Sequence, residues 1–165
     1  MLKPAILYKD QLDKAFASVL YSEPYFYYTG YAGCNTLPTI KDQDDYYQFA
    51  IVSDVDGETL IGYFAYHIDA ATDTVNNFGL FSFEHKGVVV PRTILAELEK
   101  LIAIHHRVEW RVIDGNPVVR HYDAFCEKYG GNKVTLHAVT KDLEGNYRDE
   151  HIYEIVKDLK LDATE

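Results

Sequence analysis

A carboxylate, a lysine and an arginine surround one glycine near the middle of the chain. Glu84, Lys86, Gly87 and Arg92 lie within nine residues. A carboxylate can act as a general base, and Lys and Arg bind phosphate through charge-assisted hydrogen bonds. Two interpretations are open. The stretch provides a base and a phosphate site, or its charges are solvated flanks of a connection between a strand and a helix.

Two tyrosines follow an asparagine in the second half of the chain. The segment Asp114–Gly115–Asn116–Pro117 is typical of a turn that starts a helix, and Tyr122 and Tyr129 come before the glycine pair that ends it. A tyrosine hydroxyl can donate a proton in catalysis. The other interpretation is that these rings pack the helix against a sheet.

A dense aromatic run lies in the first half. It contains Tyr21, Tyr25, Phe26, Tyr27, Tyr28 and Tyr31, and it is interrupted by Gly30 and Gly33. Packing alone seldom requires so many large rings in so short a segment. Both a pocket lining and a core or interface role remain open for this run.

The histidines and cysteines do not form a metal or nucleophile pattern. His105 and His106 are adjacent and point apart on a helix, and the other five histidines are dispersed. Cys34 and Cys126 lie far apart without a CxxC spacing, so we expect free thiols. His121 precedes Cys126 by five residues, which does not place both on one helix face. We therefore expect no metal site and no Cys–His pair.

Size and composition indicate one globular domain spanning residues 1–165. The 165 residues are 47% hydrophobic and 25% charged, which suits a single core. The uncharged apolar runs are shorter than the ~20 residues of a membrane span. The apolar stretch before Lys9 is also too short for a signal peptide. We expect a cytoplasmic protein with no membrane partner.

Charge is unevenly distributed. Residues 1–85 contain four Lys, no Arg and twelve acidic residues, a balance of −8, whereas residues 86–165 contain twelve basic and fourteen acidic residues, a balance of −2. An acidic surface repels a nucleic-acid backbone, so we expect no nucleic-acid partner. The acidic half either steers a ligand or serves only solubility.

Hydrophobic periodicity predicts alternating elements. We expect a short strand at residues 4–8, then a helix capped by Asp10, then the aromatic loop, in which a short helical turn is compatible with the pattern. Three antiparallel strands follow within residues 46–85, then a helix at 92–106 and a strand at 108–114. A helix starting at Asn116–Pro117 and a hairpin at 133–157 complete the chain. Apolar residues on both faces of the strands predict a sheet covered by helices on each side.

This order resembles the GCN5-related N-acetyltransferase superfamily. The sharpest local similarity is Asp114–Gly115–Asn116–Pro117, followed by an aromatic helix that ends in Lys128–Tyr129–Gly130–Gly131. The chain looks like a divergent, phage-type member. The resemblance implies a mixed, mostly antiparallel central sheet flanked by helices, the acyl-CoA N-acyltransferase-like fold. It also implies acetyl-CoA as co-substrate and an amine of a small molecule or peptide as acceptor.

The resemblance also assigns roles. Glu84 is expected to be the base, and Tyr122 and Tyr129 are candidate acids toward the leaving thiolate. Acetyl-CoA is expected between the central strand and the strand before Asn116, with backbone contacts from Phe83 and a side-chain contact from Asn116. The acceptor pocket is expected to be lined by Tyr25, Tyr27, Tyr28 and Tyr31.

The acceptor is expected to be a cation. The acidic first half would build its side of the site, and Asp42, Asp44 and Asp45 would lie near the entrance. Carboxylates raise the local concentration of a cation, and tyrosine faces can hold it by cation–π contact.

The cofactor loop departs from the family pattern. Typical members present a glycine-rich turn to the coenzyme A pyrophosphate, whereas residues 84–92 contain one glycine and three consecutive valines. β-Branched residues resist positive φ, so backbone donors are reduced here. We expect His85, Lys86, Gly87 and Arg92 to bind the phosphates, mainly through side-chain charge. The alternative is a non-catalytic interaction module of phage or mobile-element origin that keeps the same fold.

Overall fold

The computed structural model describes residues 1–32, 36–41, 45–84 and 89–157, with Val89 described by its backbone alone. The strands are β1 (Leu2–Pro4), β2 (Tyr46–Val52), β3 (Leu60–Asp69), β4 (Thr74–Ser82), β5 (Arg107–Ile113), β6 (Asn132–Lys141) and β7 (Tyr147–Val156). The helices are α1 (Lys9–Val19), α2 (Glu23–Thr29), α3 (Val89–Ile104) and α4 (Val119–Lys128).

All seven strands form one sheet in the order β1-β2-β3-β4-β5-β7-β6. Neighbouring strands are antiparallel except β4 and β5, which are parallel. The sheet confirms the predicted mixed, mostly antiparallel architecture, including the β2–β4 meander and the terminal β6–β7 hairpin. The one parallel pair is the place where the sheet departs from a simple meander.

Helices cover both faces of the sheet. On one face Ile94 and Leu98 of α3 and Phe125 of α4 pack in a core with Trp110 and Tyr153 of the strands. On the other face Leu12 and Phe16 of α1 and Tyr25 of α2 pack with Tyr63 and Phe81. The apolar faces predicted from the helical periodicity therefore supply two separate cores.

The N-terminal prediction was wrong in detail. Residues 5–8 form a 3-10 turn rather than a strand, and the strand lies just before it, where Leu2 pairs with Ile51. Helix α1 begins at Lys9, so Asp10 lies inside its first turn instead of capping it. An acidic residue there is still favourable, because it faces the positive end of the helix dipole.

Much of the aromatic run is helical. Ser22 caps α2 by accepting a hydrogen bond from the Tyr25 N–H at 3.4 Å, and Pro24 lies in the first turn, where no N–H is needed. Gly30, with φ of 64°, ends the helix in the left-handed conformation that glycine tolerates best. The helix orders these aromatic residues on defined faces, which a loop would not do.

Candidate active site

Strands β4 and β5 separate soon after they meet. They pair only at Thr74 with Arg107 and at Val75 with Val108, and beyond these positions they diverge toward their carboxyl ends. A cavity of about 460 Å³ opens there, bordered by α2, by the first turns of α3, and by the segment from Gly115 to Tyr122. The gap expected from the sequence between these strands is present.

The edge of β4 that faces the gap carries backbone groups that have no partner among the described residues. The Phe83 N–H donates to the Ile61 carbonyl at 2.9 Å, on the β3 side. In an antiparallel ladder successive residues point to opposite edges, so the N–H groups of Leu80 and Ser82 point toward β5. Leu80 and Ser82 line the cavity.

This geometry corrects the role given to Phe83. Its N–H is already engaged, and its ring packs against Phe16 and Phe81 in the core beneath α1 and α2. Phe83 is not among the described residues that line the cavity. The backbone donors available to a ligand belong to its neighbours on β4.

Asn116 lies in the turn just before α4 and also forms part of the cavity wall. Its side-chain oxygen accepts a hydrogen bond from the Val118 N–H at 3.1 Å, and its carbonyl accepts one from the Val119 N–H at 3.0 Å. These contacts fix the turn before α4, which begins at Val119 rather than directly after Pro117. The Asn116 amide nitrogen donates no hydrogen bond within the described residues, and Asn116 lines the cavity. The Asn116 amide nitrogen is therefore held in a fixed position and donates to no described residue.

Tyr122 places a hydroxyl at the cavity. The residue lies on α4, is 7% exposed, and its ring packs edge-on against Trp110 and Tyr153. Its hydroxyl makes no hydrogen bond to any described residue, and burial raises its pKa. A protonated, unpartnered hydroxyl at this position can donate to a bound molecule.

Tyr129 does not reach the cavity. Its hydroxyl donates to the Glu99 carboxylate on α3 at 2.7 Å, and the Lys128 ammonium lies 4.7 Å from its ring centre. Helix α4 ends at Lys128, so Tyr129 lies just past the helix and joins α4 to α3 instead of facing the cavity. The structure does not bring Tyr129 to the described cavity, and its catalytic role stays a prediction.

Glu84 is where the sequence placed it, just beyond β4. It is exposed and lines the cavity, and the Ser82 hydroxyl donates to its carbonyl at 3.0 Å. Within the described residues its carboxylate forms no ion pair. The carboxylate is thus available to a molecule in the cavity.

The four tyrosines predicted to line the acceptor pocket separate into two groups. Tyr27 and Tyr28 line the cavity. Tyr25 is 2% exposed and bonds through its hydroxyl to the Thr36 carbonyl, and Tyr31 is 68% exposed on the surface. The described cavity includes neither the Tyr25 nor the Tyr31 ring, and the acceptor role of these two residues stays a prediction.

Tyr28 is held more rigidly than Tyr27. Its hydroxyl interacts with that of Tyr63, and burial, followed by the neighbouring Tyr63, raises its pKa. Gly79 allows this approach, because a Cβ there would lie 3.2 Å from the Tyr28 hydroxyl. Tyr27 instead donates a long hydrogen bond of 3.5 Å to Glu23.

The predicted phosphate loop is only partly described. His85, Lys86 and Gly87 lie outside the described residues. Arg92 is exposed in the first turns of α3, near the cavity residues Pro91 and Leu95. Its phosphate role stays a prediction.

Sequence reasoning missed four polar residues of the cavity, of which Ser82 lies on β4. Glu23 lies on α2 one turn before Tyr27, and Arg120 and His121 lie on α4, where the Arg120 Nε donates to the His121 Nε2 at 3.4 Å. For Glu23, spacing was the available signal. Glu23 lies four residues before Tyr27 on α2, and residues four apart share a helix face.

The described residues contain neither a metal-binding cluster nor a membrane span. No cluster of three or more His, Cys, Asp or Glu side chains is arranged to hold a metal ion. Among the described helices, none combines the length and apolarity of a membrane span.

Comparison with known proteins defines the fold. By sequence, the chain matches no protein-family model and no curated protein. By structure, it is similar to a GCN5-related N-acetyltransferase from Brucella melitensis, with 19% identity, coverage of 94% of this chain and 74% of that one, and a TM-score of 0.64. A ribosomal-protein-alanine N-acetyltransferase from the same organism matches with 15% identity, 95% and 98% coverage, and a TM-score of 0.61.

A probable acetyltransferase gives a shorter match. The identity is 20%, the TM-score is 0.51, and the match covers 69% of this chain and 63% of the other. The chain thus spans less than two thirds of that protein. At these identities the likeness concerns the fold alone, and the phage-type branch stays a prediction. From its sheet order, its separated parallel strands and these neighbours, the chain has the fold of the GCN5-related N-acetyltransferases.

Proposed function

We propose that the chain transfers an acetyl group from acetyl-CoA to an amine of a small molecule or peptide. The observation that carries this proposal is the cavity between β4 and β5. It brings free backbone donors of β4, the Asn116 amide and the Tyr122 hydroxyl to one place. Interactions that already have their geometry before the reaction are the effective ones in catalysis.

The donor is bound by groups from three elements. The N–H groups of Leu80 and Ser82 hold the thioester carbonyl, and the Asn116 amide donates to the pantetheine arm. Arg92 and Arg120 are exposed cations, and neither forms an ion pair within the described residues. They bind the coenzyme phosphates together with Lys86, because Arg and Lys both pair well with phosphate.

The reaction then needs three proton transfers. Glu84 first takes one proton from the ammonium, directly or through water, and the neutral amine nitrogen attacks the thioester carbonyl carbon. As the carbon–sulfur bond breaks and the amide bond forms, Tyr122 gives its proton to the departing thiolate, and the second proton that the nitrogen loses returns to the Tyr122 oxygen, directly or through water. Because burial raises the pKa of Tyr122, its hydroxyl is protonated at neutral pH and can act as the acid.

The acceptor is a cation. Two carboxylates, those of Glu23 and Glu84, line the cavity without an ion pair to any described residue. The Tyr27 and Tyr28 rings line the same cavity and can contact an ammonium through their faces. The entrance role expected of Asp42, Asp44 and Asp45 stays a prediction. Asp42 and Asp44 lie outside the described residues, and Asp45 bonds to His67 at 3.2 Å.

Calorimetric titration with CoA and acetyl-CoA, followed by an assay of thiol release with a panel of amines, tests the proposal. We expect micromolar binding of both ligands and turnover that favours cationic amines over neutral and acidic ones. Binding without turnover on any amine would support the non-catalytic interaction module instead. Absence of binding would refute the acyl-CoA site itself.

A further inference from the structure

The main cavity continues inward between β4 and β5. A smaller space of about 70 Å³ adjoins it and shares lining residues with it, among them Asn116 and Tyr122. This space is also lined by Phe78 on β4 and Trp110 on β5, which do not line the main cavity. It therefore lies deeper in the gap, and we call it the inner recess.

Trp110 brings a buried donor to the inner recess. The residue is 3% exposed, and its ring stacks on Tyr153 and meets the Tyr122 ring edge-on. Its indole nitrogen has no hydrogen-bond partner among the described residues. A buried N–H without a partner costs free energy, and in native proteins such a group usually has a water or a ligand as its partner.

The inner recess has the size and the polar groups that ordered water needs. About 10–15 Å³ of such volume holds one water molecule, so the recess has room for several. A buried water also needs about two to four polar partners. Trp110, Tyr122 and Asn116 all line the recess, and each has a side-chain N–H or O–H that donates to no described residue.

The direction of the hydrogen bonds sets what such a water can do. An indole nitrogen only donates, so a water bound to Trp110 accepts through its oxygen and keeps both of its own protons for other acceptors. The Tyr122 oxygen is such an acceptor. When the water donates to it, the Tyr122 proton points away from the water and toward a molecule in the main cavity. Hydrogen bonds aligned in this way polarise and strengthen one another.

We propose that the inner recess holds an ordered water that links the Trp110 indole to the Tyr122 hydroxyl and restores the Tyr122 proton during turnover. The water site stands on the recess alone, whereas the proton transfer rests on the proposed acetyl transfer. As Tyr122 gives its proton to the thiolate sulfur, the water gives a proton to the Tyr122 oxygen. The water takes in return the second proton that the amine nitrogen loses, so neither the water nor Tyr122 is consumed. Trp110 keeps its own proton and is a positioning residue.

A crystal structure of the full chain, at a resolution that shows ordered water, tests the site. We expect one water within about 3.2 Å of both the Trp110 Nε1 and the Tyr122 hydroxyl oxygen. A wild-type structure with no water bridging these two atoms would overturn the inference.

A matched pair of core variants tests the positioning role. Trp110→Phe removes the indole N–H and should lower kcat with a cationic amine about tenfold, the equivalent of one hydrogen bond, while acetyl-CoA affinity stays within twofold of wild type. Phe125→Leu removes a ring that packs edge-on against Trp110 in the same core, but Phe125 lines neither the main cavity nor the recess. It should lower the melting temperature and leave kcat within twofold.

The outcomes are distinct. If Trp110→Phe keeps the wild-type kcat, or if both variants lose kcat equally, Trp110 only packs the core and the inference is wrong. If Trp110→Phe does not fold, wild-type kcat in mixtures of ordinary and heavy water decides the matter. The relay moves more than one proton, so a curved dependence on the heavy-water fraction supports it and a linear one contradicts it. If the wild type binds the water but acetylates no amine, the proposed function fails and the relay fails with it.

Discussion

Strand β5 has two edges that behave differently. Along one edge it pairs with β7 at all seven of its residues, from Arg107 with Val156 to Ile113 with Glu150. Along the other it pairs with β4 at two positions and then leaves a gap. We refer to the first as the closed edge and the second as the open edge.

The closed edge is held by contacts between protein side chains, although the buried Trp110 Nε1 has no hydrogen-bond partner among the described residues. The rings of Trp110 and Tyr153 stack across β5 and β7 at 5.4 Å with an 8° angle. The Tyr153 hydroxyl donates to Asp123 on α4 at 2.6 Å, and the Lys133 ammonium contacts the same carboxylate at 2.6 Å. At the open edge, by contrast, Asn116 and Tyr122 keep hydrogen-bonding groups without described partners.

The two edges of β5 therefore differ in role: the closed edge contributes to stability, and the open edge is available for ligand binding. Polar groups withdrawn from water cost free energy unless they are paired, and groups beside an open cavity that have no described partner are available to a bound molecule. Substitutions at the closed edge should therefore change unfolding, whereas substitutions at the open edge should change binding or turnover.

The largest effect is expected at Tyr122. Tyr122→Phe removes the hydroxyl without removing a hydrogen bond to the described protein, so the melting temperature should change little. Loss of a general acid should lower turnover about 10²–10⁴-fold. Steady-state assays of thiol release with wild type and variant measure this difference.

Tyr129→Phe is the matched control for this prediction. It removes a tyrosine hydroxyl from the same region of the chain, but that hydroxyl bonds to Glu99 outside the cavity. Turnover should stay within twofold of wild type. An equal loss of turnover in both variants would contradict the prediction that only the hydroxyl at the cavity is needed for turnover.

The next largest effect is expected at the closed edge. Tyr153→Phe removes a hydrogen bond to a carboxylate from a residue that is 0% exposed, and it should lower the free energy of unfolding by about 1.5 kcal/mol. Acetyl-CoA affinity should remain within twofold. Chemical denaturation measures the free energy of unfolding, and calorimetry measures the acetyl-CoA affinity. If Tyr153→Phe kept the wild-type free energy of unfolding but bound acetyl-CoA poorly, the distinction between the two edges would be wrong.

The closed edge was largely predictable from the sequence. The terminal hairpin surrounds Gly145, whose φ of 91° suits the turn, and strongly β-prone runs mark β2 and β5. The helix that covers this edge was visible from Phe125 and Cys126, which are both buried. Local propensity and periodicity determine such elements, so a single sequence reveals them.

The open edge was predictable only in part. The turn motif and the aromatic helix after it identified Asn116 and Tyr122. The predicted end of the central strand identified Glu84. Tyr129 was expected on the same helix as Tyr122, but α4 ends at Lys128 and Tyr129 lies outside the described cavity. The direction of the Phe83 N–H depends on pairing with Ile61, 22 residues earlier. Such long-range register does not show in local sequence.

A smaller effect is expected at Glu23, on the open edge. Glu23→Gln removes one carboxylate from the cavity and keeps its shape, so KM for a cationic amine should rise about two- to fivefold near 0.1 M salt. The effect should shrink toward 1 M salt, where the Debye length falls from ~10 Å to ~3 Å. Kinetics at both salt concentrations measure it.

Glu127→Gln is the control for Glu23→Gln. It makes the same change in net charge at an exposed residue of α4 that does not line the described cavity. KM for the cationic amine should then be unchanged. If both variants raise KM equally, the attraction comes from overall charge rather than from the cavity carboxylate.

The smallest effect is a pH dependence of stability at the closed edge. Burial acts to raise the pKa of Asp123, but its hydrogen bonds from Lys133 and Tyr153 outweigh burial and lower the pKa below 3.8. A carboxyl group with a depressed pKa in the folded state contributes stability above its unfolded pKa, and this contribution is lost as pH falls through the folded pKa. The melting temperature of the wild type should therefore fall between about pH 4 and pH 2 by more than that of Asp123→Asn, because the variant has no carboxylate to protonate. Tyr153→Phe should lie between the two, since it leaves the Lys133 contact. Thermal unfolding across this range measures the slopes, and identical slopes in wild type and Asp123→Asn would contradict the assignment of this carboxylate to the closed edge.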